Sequence, residues 1–309
     1  MITSLFRKST PFNYSVVILG MVAFAVIYFG SAMVLPHKSA PILYFFIDLG
    51  LLYAALFITN FIAKKNALSK DSAYTVLFYL LILWVFPSCY LNTSLLAAHF
   101  FILLSMRRLV SLHTMKSAKE KLFDASLWVF VASLFYFWSI LFIVLVYISI
   151  LFHTARDYRT WFLPLLAFLT VAFIFLFATY FWNSTWLDHL HLQSHYSTTF
   201  DFDYTNLPNL VLMSYLGMAI LAVFVMVVTI ANKPLLQQSS YKKVVSAFVI
   251  GLSIYAIAPV KSGELMLFTL SPLAIILTSH IEAMAGKWQK EVLLFTLIIG
   301  SVAAFVFQL

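Results

Sequence analysis

The sequence is nearly free of cysteine, since Cys89 is the only one among 309 residues. A single thiol excludes an internal disulfide and any metal or iron-sulfur site held by several cysteines. Cys89 lies close to Pro87 in an apolar segment, where a buried thiol acts as a small hydrophobe. Cysteine usage therefore gives no indication of the redox compartment.

Charge and catalytic signatures are also scarce. Only 10% of the residues are charged, and the sequence has no glycine-rich phosphate loop, no GxSxG elbow and no HExxH motif. In contrast, 63% of the residues are hydrophobic and the mean hydropathy is +0.98. No water-soluble globule of this size could bury so much apolar surface in one core. We therefore expect a polytopic membrane protein with a single transmembrane domain over residues 1–309.

The apolar blocks predict an all-α fold with about eleven transmembrane helices, because a spanning helix needs ~20 apolar residues. The opening "MITSLFRKSTPFNY" lacks the cleavage pattern of a secretory signal, so the first block is predicted to be a retained span. The predicted spans are 14–35, 41–62, 73–91, 94–106, 124–138, 139–155, 160–183, 209–231, 244–259, 264–283 and 292–308.

The distribution of lysine and arginine predicts the topology. With the N-terminus in the cytoplasm, seventeen of the 19 basic residues fall on cytoplasmic segments, and only Lys38 and Lys261 fall outside. This is the bias that the positive-inside rule requires. The charges are spread in twos and threes over short turns, with no soluble basic domain, so we expect no nucleic-acid partner.

Two blocks, 73–106 and 122–155, are each 34 residues long and are flanked on both sides by cytoplasmic-type charge. At ~1.5 Å per residue such a block is too long for one helix across a ~30 Å hydrocarbon core and short for two full helices. Each is predicted to be a hairpin of short helices, broken near "PSCYLNT" in the first block and near "FYFWS" in the second.

The segment 107–123, between these hairpins, is predicted to be a cytoplasmic amphipathic helix at the membrane interface. Its apolar residues recur at helical spacing, and its basic residues crowd the remaining positions. Capture of an anionic lipid or a lipid phosphate is one interpretation. The alternative is a topology anchor without a ligand, since the positive-inside rule alone calls for such charge.

The polar stretch 184–208 has no lysine or arginine and is predicted to be an extracytoplasmic loop rich in histidine and aspartate. Asp188, His191 and His195 have the spacing of one helical face, whereas His189 and His191 would share a face in an extended chain. Imidazole and carboxylate groups suit acid-base chemistry or a divalent metal. Asp188 and His191 are therefore candidate catalytic residues, and His189, His191 and His195 are weak metal candidates. A solvated loop with no cofactor is the alternative.

Asp48 is a second candidate catalytic residue, because it lies ~10 Å below the predicted outer surface, where an unpaired charge is costly. Such a residue is expected to face protein or a wet cavity. His37, Lys38, Lys261 and Glu264 belong to outer turns and could form a charged vestibule with it, in which Lys38, Lys261 and Glu264 would bind substrate. The alternative is a buried aspartate that helps to hold helices together.

The segments "KLFDASLWVFVASLFYFWSILF", "HTARDYRTWFLPLLAF" and "SGELMLFTLSPLAIILTSHIE", together with the opening "MITSLFRKSTPFN", resemble an uncharacterised family of flavobacterial polytopic inner-membrane proteins. The resemblance runs along most of the chain and carries no established activity. It implies a bacterium of the Bacteroidota with two membranes, a location in the inner membrane and a periplasmic position for the loop 184–208.

The layout also resembles, more loosely, the multi-spanning glycosyltransferases and polymerases that use polyprenyl-linked sugars. Those enzymes keep an acidic residue in the first periplasmic loop, which here reads "PHKSAP". The resemblance therefore implies that Asp48, Asp188, Asp201 or Asp203 would replace that residue.

Three functions remain open, and whether the protein is an enzyme is left open with them. In the first, the protein handles a lipid-linked glycan at the periplasmic face, where Lys38 and Lys261 hold a pyrophosphate and a carboxylate or histidine acts as base. In the second, it is a non-catalytic subunit or scaffold of an envelope complex for secretion, motility or assembly, with other membrane proteins as partners. In the third, it is a small-molecule transporter. Membrane lipids are expected partners in each.

Overall fold

A computed structural model of the protein describes residues 2–34, 42–181, 194–197 and 206–309. Within these ranges the chain forms α-helices joined by short 3₁₀ turns, and no residue there lies in a strand. This confirms the all-α class that the apolar pattern predicts. Most helices are apolar around much of their surface, as is typical of chains that are surrounded by lipid or by other helices.

The helices are numbered in chain order over the described residues. They are α1 (Ile2–Phe6), α2 (Pro11–Val34), α3 (Ile42–Lys65), α4 (Tyr74–Val85), α5 (Thr93–Val110), α6 (Ala118–Phe135), α7 (Ile143–His153), α8 (Tyr158–Trp161), α9 (Leu163–Phe181), α10 (Leu207–Thr229), α11 (Leu235–Ile257), α12 (Leu267–Ala283) and α13 (Lys287–Val306). The 3₁₀ turns are Pro87–Leu91, Ser111–Thr114, Phe137–Phe142, Ile230–Asn232 and Gly263–Met266.

Eight helical segments in the described ranges are long and apolar enough to cross a membrane, which makes the chain a multi-pass membrane protein. They are Pro11–Ser31, Ile42–Lys65, Thr93–Thr114, Tyr158–Phe181, Leu207–Asn232, Leu235–Ile257, Gly263–Ala283 and Lys287–Val306. Tyr74–Val85 and Phe137–His153 are shorter apolar helices. The count of eleven spans and the cytoplasmic position of the N-terminus stay predictions.

Both predicted helix breaks are present. In the first hairpin, α4 has only 12 residues, about 18 Å, and a 3₁₀ turn that begins at Pro87 separates it from α5. Proline fits the start of this turn because it has no amide hydrogen to donate. In the second hairpin, the 3₁₀ turn Phe137–Phe142 separates α6 from α7.

The segment 107–123 differs from the prediction, because it is not one helix. α5 ends at Val110, a 3₁₀ turn follows, and α6 begins at Ala118. Met115 and Ser117 have φ values of 53° and 49°, in the left-handed region, and they reverse the chain so that α6 packs along α5. Apolar spacing alone does not reveal such a reversal, because helical periodicity continues by chance on both sides of it.

The centre of the bundle is α12, in which every residue from Leu267 to Ser279 is buried. It packs against α3, α4, α5, α10 and α11. Its hydroxyl groups find partners on these neighbours: the Thr59 Oγ1 donates to Ser271 Oγ at 2.8 Å, and the hydroxyls of Tyr215 and Thr269 are 2.6 Å apart. Polar contacts of this kind fix how helices meet where no water competes.

Gly251 sets the distance between α11 and α12. A Cβ atom at this position would lie 2.9 Å from Thr269 Cγ2 and 3.1 Å from the backbone carbon of Phe268. Because a backbone atom cannot move aside as a flexible side chain can, only glycine allows α11 to approach the central helix this closely.

The bundle has two ends of different charge. At one end, Lys65 and Arg107 lie over the same ring, that of Phe61, and three ion pairs lie in the turns there. These pairs are Lys64–Asp71, Arg108–Asp124 and Lys119–Asp157. We call this the basic end, and the opposite end, which carries Asp48 and Glu264, the carboxylate end. Separate ends are what the topology prediction requires, although the placement of each end relative to a membrane stays a prediction.

Candidate functional site

Several of the predicted site residues lie outside the described residues. These are Lys38, Asp188, His189 and His191, and most of the predicted loop 184–208 lies outside with them. Within the loop, the backbone carbonyl of His195 accepts a 3.2 Å hydrogen bond from Trp138 Nε1. Groups of histidine, cysteine, aspartate and glutamate suited to a metal ion are absent from the described part of the chain. The metal prediction for the loop therefore stays untested.

Asp48 is buried in α3, with only 2% of its surface exposed. The Thr93 side chain, in the first turn of α5, hydrogen-bonds to the carboxyl group. Its Oδ1 atom has no hydrogen-bond partner among the described residues. Most buried polar atoms have one, so an unpaired carboxylate oxygen at this depth requires an explanation such as a ligand, an ion or water.

Glu264 contacts the start of α5 through Asn92. Asn92 Nδ2 donates a 2.6 Å hydrogen bond to Glu264 Oε2, and Asn92 Oδ1 accepts one of 3.2 Å from the Leu95 amide, which caps α5. The consecutive residues Asn92 and Thr93 thus contact both carboxyl groups. Both carboxyl groups thus have a contact at the N-terminus of α5, which favours negative charge. The charged vestibule itself stays a prediction.

Lys261 lies at the carboxylate end, and its ammonium group donates hydrogen bonds to backbone carbonyl oxygens. Its Nζ atom is 2.7 Å from the Ala256 carbonyl, 3.1 Å from that of Ala258 and 2.8 Å from that of Ser197. The first two belong to the C-terminal end of α11, where unpaired carbonyls favour a cation. Burial lowers the pKa of Lys261 from its ordinary value. The ammonium therefore caps α11, and its predicted role in substrate binding is untested.

Asn92 and Thr93 are site residues that the sequence reasoning missed. The signal was present in "YLNTSLL", because asparagine or threonine directly before an apolar helix is typical of an N-cap. Cys89, in the same turn, donates a long 3.7 Å contact from its thiol to the Glu264 carbonyl. The 3₁₀ turn and the start of α5 after it thus contribute three polar groups, from Cys89, Asn92 and Thr93.

An apolar groove of about 230 Å³ lies between α4, α10, α12 and α13. Val85 and Tyr215 line it, and the ring of Phe86 packs edge-on against that of Tyr215 at 4.9 Å. Phe86 also contacts Gly263, where a Cβ atom would be 3.0 Å from the Phe86 ring. Phe86 thus contacts both a residue of the groove lining and the residue before Glu264.

The eight long apolar helices of the described residues define an all-helical, multi-pass membrane protein. The chain belongs to DUF6427, a family of unknown function, whose family model matches residues 1–309. No curated protein and no solved structure gave a significant match to the chain. The membership agrees with the uncharacterised family that the sequence resembles.

Proposed function

We propose that this membrane protein handles a lipid-linked glycan at its carboxylate end, which faces the periplasm in the predicted topology of a bacterial inner membrane. The observation that carries the proposal is the unpaired Oδ1 of buried Asp48. Asn92, which contacts Glu264, follows a 3₁₀ turn that begins two residues after Val85 in the groove lining. A polar reaction centre next to a lipid-facing groove suits a substrate with a sugar head and a long hydrocarbon chain.

Asp48 is the general base in this proposal. Its free Oδ1 would accept the proton of a hydroxyl group on the acceptor molecule. The oxygen of that hydroxyl group then bonds to the anomeric carbon of the sugar. The bond from that carbon to the polyprenyl diphosphate breaks, and the diphosphate leaves with the electron pair. Thr93 would hold the carboxylate in place, and Asn92 does the same for Glu264, which would orient the sugar hydroxyls.

The groove would hold the first isoprene units of the chain. Its lining is mainly apolar, and three of the four helices around it, α10, α12 and α13, are parts of segments long enough to cross a membrane. In this proposal Phe86, which contacts Tyr215 of the groove lining and Gly263 next to Glu264, would rotate to let the head group pass from the groove to Asp48. The groove and the cluster are therefore parts of one proposed site.

The diphosphate requires cationic partners, and Lys38 and Lys261 keep this role in the proposal. Lys261 already contacts three carbonyl oxygens at 3.1 Å or less, so it would exchange at least one of them for a phosphate oxygen. Asp188 and His191 stay alternative catalytic residues, to be tested by the same assay.

The first test is native mass spectrometry of protein extracted gently from its own membrane, followed by addition of a polyprenyl-diphosphate sugar in nanodiscs together with a free sugar as the acceptor hydroxyl. We expect the wild type to retain one polyprenyl lipid and to release polyprenyl diphosphate. Asp48→Asn should retain the lipid without releasing diphosphate. Gly300→Phe, which fills the groove, should lose the lipid, whereas Gly30→Phe is the matched control, because both glycines have open space around the added Cβ.

Two outcomes would overturn the proposal. If Asp48→Asn releases diphosphate at the wild-type rate, Asp48 is not the base. If the extracted protein carries no lipid but a stoichiometric second polypeptide, the scaffold function replaces the glycan function.

A transporter is a second candidate, supported by the polar chain across the bundle centre. His99 Nε2 is 3.4 Å from Ser271 Oγ, which also accepts from Thr59. His99 Nδ1 has no partner among the described residues. If these polar side chains conduct protons, proteoliposomes that contain the protein should dissipate a pH gradient. Ser271→Ala should slow the decay of that gradient. A gradient that decays as in empty liposomes excludes this candidate.

A further inference from the structure

A basic pocket of about 290 Å³ opens at the basic end, between the end of α3 and the turn that joins α5 to α6. Five cationic side chains line it: Lys65, Arg107, Arg108, Lys116 and Lys121. Among the described residues, its lining includes no carboxylate. The pocket is at the opposite end of the bundle from Asp48 and takes no part in the function proposed above.

Two of the cations are held in place by one aromatic ring. The Arg107 guanidinium lies 4.7 Å from the centre of the Phe61 ring, and Lys65 Nζ lies 5.0 Å from it. Such contacts stabilise a cation without neutralising it. The described residues give neither Lys65 nor Arg107 an ion pair. Both charges therefore stay available to an anion.

Lys121 lies deeper and has a lowered pKa. It donates hydrogen bonds of 2.9 Å to the Ser111 carbonyl and 3.0 Å to Thr114 Oγ1, which fix the ammonium at the pocket wall. Partial burial lowers its pKa first, and the nearby charges of Arg108, Lys65 and Lys116 lower it further. Like charges crowd together here, and a bound anion would relieve their repulsion.

The chain reversal builds the concave shape. The left-handed residues Met115 and Ser117 flank Lys116 and turn it back towards α5, while Arg108 is anchored by Asp124 at 2.9 Å. The positive-inside rule explains why cations lie at this end, but it does not require five of them around one cavity. Side chains that serve only as topology anchors would spread into water and reduce their repulsion.

We propose that this basic pocket binds a phosphate monoester group, in which lysines supply point charges and arginines supply paired donors to the phosphate oxygens. The group can come from two sources, an anionic lipid head group with a terminal phosphate or a soluble phosphate compound. Both offer the same chemistry to the pocket. A volume of about 290 Å³ accommodates one such group with bound water.

The experiment measures binding of two probes to the purified full-length protein. Phosphatidic acid is presented in phosphatidylcholine nanodiscs, and inorganic phosphate is titrated separately in detergent. Arg107→Gln with Lys121→Gln removes two pocket charges. Lys242→Gln with Arg156→Gln removes two charges from residues that do not line the pocket and serves as the matched control. Thermal unfolding of each variant, followed with a thiol dye on Cys89, establishes that it is folded.

We expect the pocket variant to bind at least ~10-fold more weakly, because the loss of one charged hydrogen bond to the phosphate lowers affinity by about that factor. The control pair should change affinity by less than ~3-fold. Selective loss of phosphatidic acid binding with no response to inorganic phosphate identifies a lipid head group. Binding of inorganic phosphate in detergent, lost in the pocket variant, identifies a soluble ligand.

Equal weakening in the pocket and control variants, or no binding of either probe, would overturn the proposal and leave the charges as a topology anchor. If the double variant does not fold, Phe61→Leu provides the second test. This change removes the ring beneath Lys65 and Arg107 and keeps every charge. It should weaken binding several-fold, because both cations lose their fixed position, and unchanged affinity contradicts the pocket geometry.

Discussion

Lys243 Nζ donates a 2.6 Å hydrogen bond to the Leu109 carbonyl, although the lysine side chain has 0% of its surface exposed. Leu109 lies in the last turn of α5, where carbonyl groups have no partner within the helix. The bond therefore ties α11 to the α5–α6 hairpin at the basic end. The Leu109 carbonyl also accepts from the Ser111 amide, so Lys243 is a second donor to it.

Lys243→Met should lower stability, because it removes the charged hydrogen bond that joins α11 to the Leu109 carbonyl in a buried site. The expected loss is about 1–3 kcal/mol, reduced in part by removal of a buried charge. Lys242→Met at the exposed neighbouring position is the control and should change little. Thermal unfolding can be followed through Cys89, which is buried and is the single cysteine of the sequence, with a thiol-reactive dye. Equal melting temperatures for the two variants would show that the bond contributes nothing.

Asn92→Asp should be more harmful than loss of an N-cap alone. The substitution keeps an oxygen for the Leu95 amide but replaces the donor to Glu264 with a second carboxylate. We expect a loss of about 1–3 kcal/mol at neutral pH, and recovery of most of it in the double variant with Glu264→Gln. Melting temperatures of the four proteins form the cycle. Additive effects of the two substitutions would mean that the residues do not interact.

Gly251→Ala should destabilise the packing of α11 on α12. The new methyl group would lie 3.1 Å from the Phe268 backbone, so one helix must shift. An overpacking cost of ~1–3 kcal/mol is expected. Gly217→Ala in α10 meets no atom within 4 Å and should stabilise by about 0.5–1 kcal/mol, because alanine favours the helix. Opposite shifts in melting temperature support this packing, and shifts of the same sign contradict it.

Anion binding at the basic pocket should weaken as the pH rises. The pKa of Lys121 lies below its ordinary value of 10.5, so this lysine loses its proton at a lower pH than a solvated lysine does. Its attraction for phosphate is present below the lowered pKa and is lost above it. In the absence of ligand, the lowered pKa of Lys121 also affects stability. The free energy of unfolding should rise with pH between this lowered pKa and the ordinary pKa of lysine, because the unfolded chain binds the proton more tightly in that range. Phosphatidic acid affinity of the wild type should therefore begin to fall at a lower pH than the ordinary pKa of a solvated lysine, ~10.4.

Lys121→Arg is the control for that pH dependence, since its guanidinium stays charged over the whole range. Its affinity should change less with pH than that of the wild type. Parallel curves for both proteins would assign the pH dependence to another group.

Parts of the fold follow directly from local patterns. The break at Pro87 and the one near Phe137 were predictable, because blocks of that length match neither one span nor two. The reversal at Met115 and Ser117 was not, since no glycine or asparagine occupies these left-handed positions. Neither residue type carries the usual signal for such a turn.

The presence of Asp48 and Glu264 at one end of the bundle was predictable, but their contacts were not, and their roles in a site stay predictions. Asp48 was identified by its depth in an apolar span, and Glu264 by its place at the same end. Their link through Asn92 and Thr93 depends on how α5 begins between α3 and the turn before α12. Lys261, the predicted partner of Asp48, instead caps α11. Its ammonium contacts the carbonyl oxygens of Ala256 and Ala258, which the folded chain brings within hydrogen-bond distance.

The sequence by itself determined that the chain is a helical membrane protein, because hydrophobic length and charge are local properties that a bilayer selects directly. It also determined the order of helices and the helix breaks. Tertiary structure alone decided that α12 lies at the centre, that Asp48 keeps an unpaired oxygen near Glu264, and that five cations surround one pocket. These features depend on packing between helices distant in the chain, and apolar sequences of similar hydropathy do not specify which helices become neighbours.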